Sequence, residues 1–160
     1  MRSLPYNNLK TIVQSEDHVM IWVEWMHHAR VIRLSGANGG RPEHLPEDIA
    51  HYGGDSIGWW EGDTLVVDTR NVRDWPGGLR EDFHVVEKFT PVADKGLVYE
   101  FTVDDPDYVT SYSGEMLWPR TDQLNYEYAC HEGNYSMGNM LRGARMLERE
   151  WLEKRSDGAD

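Results

Sequence analysis

The chain has 160 residues, a formal net charge of −12, 39% hydrophobic residues, seven Trp, eight Tyr and one Cys. Without a cluster of Lys and Arg it has no electrostatic footprint for nucleic acid. A single cysteine excludes an intrachain disulfide and any multi-thiolate metal site, and no apolar run approaches the ~18 residues of a membrane helix.

Residues 1–16 read as an arm preceding the first strand. Met1 to Lys10 contains no apolar h-region, so the chain as given carries no secretory signal; the compartment stays open, cytoplasmic for the chain as given. His18 to Met26 (HVMIWVEWM) is rich in β-branched and aromatic residues and predicts a strand apolar on both faces. Ala29 to Leu34 is its hairpin partner, with His27 and His28 at the turn, pointing to opposite faces.

Ser35 to Gly54 holds five Gly and two Pro without periodicity, which predicts a long loop of functional importance. Ser56 to Arg70 is a second hairpin turning at Glu61-Gly62-Asp63, where Gly permits positive φ. Further strands are expected at Phe83–Thr90, Leu97–Val103, Tyr112–Trp118 and Leu124–His131.

The last segment repeats Met137, Met140, Leu141, Ala144, Leu147 and Trp151 at three- and four-residue steps, an amphipathic helix with Asn134 or Ser136 as N-cap. It is expected to pack on the sheet or across a barrel end, with Ser156–Asp160 a disordered tail. Seven or eight short strands without βαβ alternation predict one all-β domain. The expectation is an antiparallel β-barrel, lipocalin-like in broad shape, with the C-terminal helix.

Strand parity selects the candidate chemistry, because residues two apart share a face. Glu24 shares a row with Met20, Trp22 and Met26, and Glu87 with Phe83, Val85 and Phe89. A lone carboxylate in an apolar row needs a partner, such as Arg30 or Arg33, or has a raised pKa suited to acid–base work. His84 shares a face with Val86, and His27 stands at the hairpin.

Glu24, His27, His84 and Glu87 are therefore the candidate catalytic residues. Arg30 is the candidate holder of a ligand oxygen, and Trp22 and Trp60 are candidate packing surfaces. In EYACHEGNY (Glu127–Tyr135), Tyr128 and Cys130 share a face while His131 points away. A Cys–His dyad is thus disfavoured. Tyr128, His131 and Glu132 remain candidate contacts at the mouth of a site. No HxH, HExxH, CxxC or phosphate-binding glycine loop is present, so no cofactor is expected, and a metal-dependent enzyme is left only as a third reading, with ligands gathered from distant strands.

The stretches GWWEGDTLVVDT (Gly58–Thr69), YEFTVDDP (Tyr99–Pro106), YEYACHEGNY with MLRGAR (Tyr126–Arg145) and EWMHHAR (Glu24–Arg30) resemble a widespread family of bacterial proteins. Its members typically read G-W-E-G-D-T-L-V-V-x-T and Y-x-C-H-E-G-N-Y. The resemblance runs from about Thr11 to Arg145, with His28 where an Asp is usual.

Family members often carry a signal peptide and a longer N-terminal region, so export is what the resemblance implies for longer relatives. The resemblance brings no activity with it. It draws attention to Glu24, His27, Arg30, Trp60, Asp63, His84, Glu87, His131, Glu132 and Asn134, which sit in motif positions.

The functional expectation is a cofactor-independent lyase, isomerase or cyclase acting by proton transfer on a hydrophobic or aromatic small molecule inside the barrel. The alternative is a non-catalytic binding protein of the same shape. Neither nucleic acid nor membrane is an expected partner, and assembly into a homo-oligomer stays open.

Overall fold

The computed structural model describes residues 9–24, 27–34, 41–73, 83–124, 126–127 and 135–156. The chain divides into two compact units, Met1–Tyr126 and Glu127–Asp160. The first is an eight-stranded sheet: β1 (Lys10–Gln14), β2 (His18–Val23), β3 (His28–Leu34), β4 (Asp55–Glu61), β5 (Thr64–Arg70), β6 (His84–Val92), β7 (Gly96–Asp104) and β8 (Tyr112–Pro119). The strands lie side by side in chain order. The all-β architecture with a C-terminal helix holds.

Three details differ from the sequence reading. The expected arm contains β1, whose Ile12 and Val13 stay exposed, which is why the segment lacks a strong apolar signal. β3 and β4 pair in parallel through Ile32↔Ser56, Arg33↔Ile57 and Leu34↔Gly58, so the sheet is mixed rather than antiparallel. Parallel neighbours cannot be joined by a hairpin, and the long glycine-rich segment before Asp55 is the crossover they require. Finally, Leu124, Tyr126 and Glu127 belong to no strand. The remainder of the expected strand Leu124–His131 lies outside the described residues.

The turn at Glu61-Gly62-Asp63 follows its predicted chemistry. Gly62 turns β4 into β5 at φ 62, and Asp94 (φ 58) and Gly96 (φ 120) turn β6 into β7. At Gly96 an added Cβ would lie 2.1 Å from the Trp118 carbonyl oxygen, so this hairpin accepts only glycine.

The sheet curls, bringing strands distant in its order together across one inner face. Val19 and Ile21 of β2 join Ile32, Leu34, Leu65, Val67, Phe89 and Tyr99 in one core cluster. Tyr99 stacks on Trp118 at 4.5 Å and meets Phe89 at 5.1 Å. The Lys10 ammonium of β1 lies 4.6 Å from the Trp118 ring of β8, so the two outermost strands approach each other.

The outer face of β4 and β5 is also covered, because Ile57, Val66, Asp55 and Asp68 are all buried. Residues 41–50 do the covering, since Leu45 N–H donates to Asp55 and Arg41 stacks 4.0 Å over Trp59.

The second unit contains α1 (Ser136–Ser156). Its opening hydrogen bond runs from Asn139 N–H to the Tyr135 carbonyl at 3.0 Å. Lys154 and Arg155 stand in the last turn, where cations offset the helix dipole. Met137, Met140, Leu141, Leu147 and Trp151 are exposed. Ser156, expected in the tail, still belongs to the helix, its hydroxyl donating to the Glu153 carbonyl at 2.7 Å.

Candidate functional site

The core cluster fills one end of the inner face. At the other end, where β5 and β7 finish and β6 and β8 begin, the sheet encloses an open cavity of about 610 Å³. Val85, Phe101, Val103 and Met116 form much of its wall, with Tyr52, Phe83 and Tyr112 adding aromatic rings. Phe101 reaches its position because β8 offers Gly114 opposite it, where a Cβ would lie 2.7 Å from the ring. Apolar walls with a few convergent polar groups are the usual make-up of a small-molecule site.

Those polar groups are Arg30, Glu87, Tyr99 and Thr69, with His28 alongside. Arg30 Nη1 donates to Glu87 Oε1 at 3.0 Å, and Nη2 donates to Glu87 Oε2. Nη2 also donates to Thr69 Oγ1 at 2.6 Å, and Nε to Ser56 Oγ at 2.9 Å. The Tyr99 hydroxyl donates to Glu87 Oε1 at 2.8 Å.

Arg30 is 7% exposed and Glu87 1%. A buried pair of this kind persists only when both charges are well matched by geometry and extra hydrogen bonds. Here Ser56, Thr69 and Tyr99 supply those bonds.

The electrostatics follow from this arrangement. Burial alone would push the Glu87 carboxyl up, but the Arg30 charge and hydrogen bonds from Arg30 and Tyr99 hold it down at about 2. Burial, then the Glu87 charge, push Tyr99 up, so its phenol stays protonated. Burial opposes the charge on Arg30, yet the Glu87 carboxylate more than compensates and raises its pKa. His28 is lowered by burial and then by the nearby Arg30 charge, which favours a neutral imidazole.

Of the sequence-selected residues, Arg30 and Glu87 meet directly, 57 positions apart in the chain. The expected arginine partner of Glu87 is therefore Arg30. Glu24 is not on a strand row, because β2 ends at Val23 and Glu24 falls in the turn that follows. Its carboxylate lies 3.9 Å from His27 Nε2, and His27, at φ 52, leaves its side chain 77% exposed. Neither lines the cavity.

Trp22 sits on the face opposite Val19, Ile21 and Val23. Trp60, at the end of β4, is 45% exposed and outside the cavity. Tyr128, His131 and Glu132 lie outside the described residues.

His84 alternates to the outer face and joins a second polar cluster. Its Nε2 lies 2.9 Å from Asp68 Oδ1. His44 bridges Asp55 and Asp68 through Nδ1 at 2.9 Å and Nε2 at 3.1 Å. Arg33 donates to both Asp55 oxygens at 2.8 and 3.0 Å, and Arg41 pairs with Asp68.

Burial works against both carboxylates, but these donors hold Asp55 and Asp68 below the usual aspartate range. The Asn71 amide, at φ 54, donates to the carbonyls of Leu45 and Pro46 at 3.0 and 3.2 Å. The cluster fastens residues 41–50 to the back of the sheet. Arg41 and Arg70 already neutralise Asp68, a setting hostile to a metal cation, and no metal-holding group occurs among the described residues.

Sequence reasoning passed over His28, Ser56, Thr69 and Tyr99 as site residues. The available signal was parity: His28 falls on the face of Arg30, and Tyr99 belongs to the apolar row of β7 that faces the row of Glu87. Ser56 and Thr69 are directly opposed across β4 and β5. Comparisons with protein-family models, with curated proteins and with solved structures found no match.

Proposed function

We propose that the inner-face cavity binds a hydrophobic or aromatic small molecule, the chain acting as a lipocalin-like binding protein. The observation that carries this is an open cavity of about 610 Å³ with aromatic walls around a buried ion pair. Glu87 argues for binding rather than acid–base catalysis. With both oxygens accepting from Arg30 and a pKa held at about 2, it neither gives nor takes a proton near neutrality.

The test is a thermal-shift and tryptophan-fluorescence screen of aromatic and terpenoid compounds. It is run in parallel on the native chain and on Met116→Trp, which fills the cavity. A compound that stabilises the native chain and not the variant supports the proposal. Binding that survives Met116→Trp unchanged would place the ligand elsewhere and overturn it.

A second reading, proton-transfer chemistry of the lyase, isomerase or cyclase kind, is favoured by His28. Burial and Arg30 keep its imidazole neutral beside the cavity, the state a general base requires. On this reading His28→Ala abolishes conversion of a bound compound, while His27→Ala leaves it intact. Recovery of every bound compound unchanged after prolonged incubation would sink the catalytic version.

A further inference from the structure

The guanidinium of Arg30 has five N–H donors in a rigid plane. Four are used: Nε on Ser56, both hydrogens of Nη2 on Thr69 and Glu87, and one hydrogen of Nη1 on Glu87. The fifth, also on Nη1, meets no acceptor among the described residues. Planarity fixes where it lies. Ser56 and Thr69 occupy one edge of the plane and Glu87 the end, so the remaining N–H is on the opposite edge. Arg30 itself lines the cavity.

A buried donor without an acceptor is costly, and a ligand that brings an acceptor to it removes that cost. The charges at the site then narrow what the acceptor can be. Among the described residues the charges of Arg30 and Glu87 cancel and Tyr99 keeps its proton, so these groups give an anion no net charge to match. A carboxylate or phosphate would place its charge near Glu87 within a protein of net charge −12. A cation would meet the guanidinium edge instead of an acceptor.

Resting on the binding reading above, we infer that the ligand is a neutral aromatic molecule that directs one acceptor oxygen, a ketone or aldehyde carbonyl, to Nη1 of Arg30. The oxygen completes the guanidinium's set of five, while the rings around the cavity take the apolar body. Specificity of this type rests on an otherwise unpaired buried donor, which discriminates strongly against an analogue lacking the acceptor.

Three probes of matched size test this: 2-acetylnaphthalene, 2-ethylnaphthalene and 2-naphthoate. Their affinities are measured by calorimetry against the native chain, Met116→Trp, and the triple variant Arg30→Met/Glu87→Met/Tyr99→Phe. The triple variant removes the polar network as a unit, so that no buried charge is orphaned. The ketone is expected to bind the native chain at least tenfold tighter than either the hydrocarbon or the carboxylate. In the triple variant that preference over the hydrocarbon should vanish. The infrared carbonyl stretch of the bound ketone should fall in frequency in the native chain only.

A carboxylate that binds best, or a ketone preference that survives in the triple variant, would overturn the inference. Equal binding of ketone and hydrocarbon, abolished by Met116→Trp, would overturn it while leaving the cavity a binding site. Absence of binding by all three would count against the cavity reading and the inference together.

Discussion

Replacing Glu87 by Gln is the sharpest probe of the buried pair. The change keeps the size of the side chain but swaps one acceptor oxygen for an NH₂ that confronts the N–H groups of Arg30. It also leaves a guanidinium that is 7% exposed without a counter-charge. Breaking a buried pair from one side costs about 3–5 kcal/mol, because the surviving charge is uncompensated. The triple variant Arg30→Met/Glu87→Met/Tyr99→Phe removes all the dependent groups except Ser56 and Thr69. Those two hydroxyls already lie 3.0 Å apart and keep the hydrogen bond between them. It should fall within about 1 kcal/mol of the native chain, as apolar replacement of a whole buried ion pair often does.

The pH dependence provides an independent magnitude. Glu87 is held at about 2 against an ordinary 4.5, which corresponds to about 3 kcal/mol at neutral pH. Because the folded pKa lies below the unfolded one, that contribution is complete above about pH 5 and is lost as the pH falls toward 2. Urea unfolding followed by tryptophan fluorescence at a series of pH values reads both effects. The native chain should lose about 3 kcal/mol more than the triple variant over that acid range. A Glu87→Gln penalty below about 1 kcal/mol, or acid limbs that run parallel in the two proteins, would refute the assignment of the pair as a buried, mutually dependent unit.

Two further substitutions examine other parts of the sheet unit. Gly114→Ala puts a methyl 2.7 Å from the Phe101 ring and should destabilise by about 1–3 kcal/mol through overpacking, read from the urea midpoint. An unchanged midpoint would mean that Phe101 is not packed against β8. Asp68→Asn weakens the clasp on His44, His84 and Arg41, and should cost about 2–3 kcal/mol while exposing residues 41–50 to faster limited proteolysis. If cleavage within 41–50 were no faster than in the native chain, the outer cluster would not be what holds that segment.

Much of the sheet was legible because hairpins carry local codes. The Glu61-Gly62-Asp63 turn and the alternation of Leu97, Tyr99, Phe101 and Val103 each specify a strand pair or a face from adjacent residues alone. The carboxylate of Glu87 in its apolar row was legible for the same reason, and so was its need for an arginine.

The face that becomes the interior was not legible, since parity sorts residues into two rows without ranking them. His84 and Glu87 fall in different rows by simple alternation, and only the curl of the sheet decides that the row of Glu87 is inward. The parallel junction of β3 and β4 has no local signature either. Its partners are more than twenty residues apart, and the intervening loop specifies reach but not register. Glu24 was misplaced by two apolar residues beyond it, which extended a strand that ends at Val23.

That junction divides the sheet into two continuous antiparallel meanders, β1–β3 and β4–β8, whose strands are paired to each other at three register positions. Arg30 belongs to the first meander, whereas Ser56, Thr69 and Glu87 all belong to the second. The contact between the meanders is therefore an intrachain interface crossed by two arginines, Arg30 on the inner face and Arg33, paired with Asp55, on the outer. The same side chain that faces the cavity also holds the two halves of the fold in register.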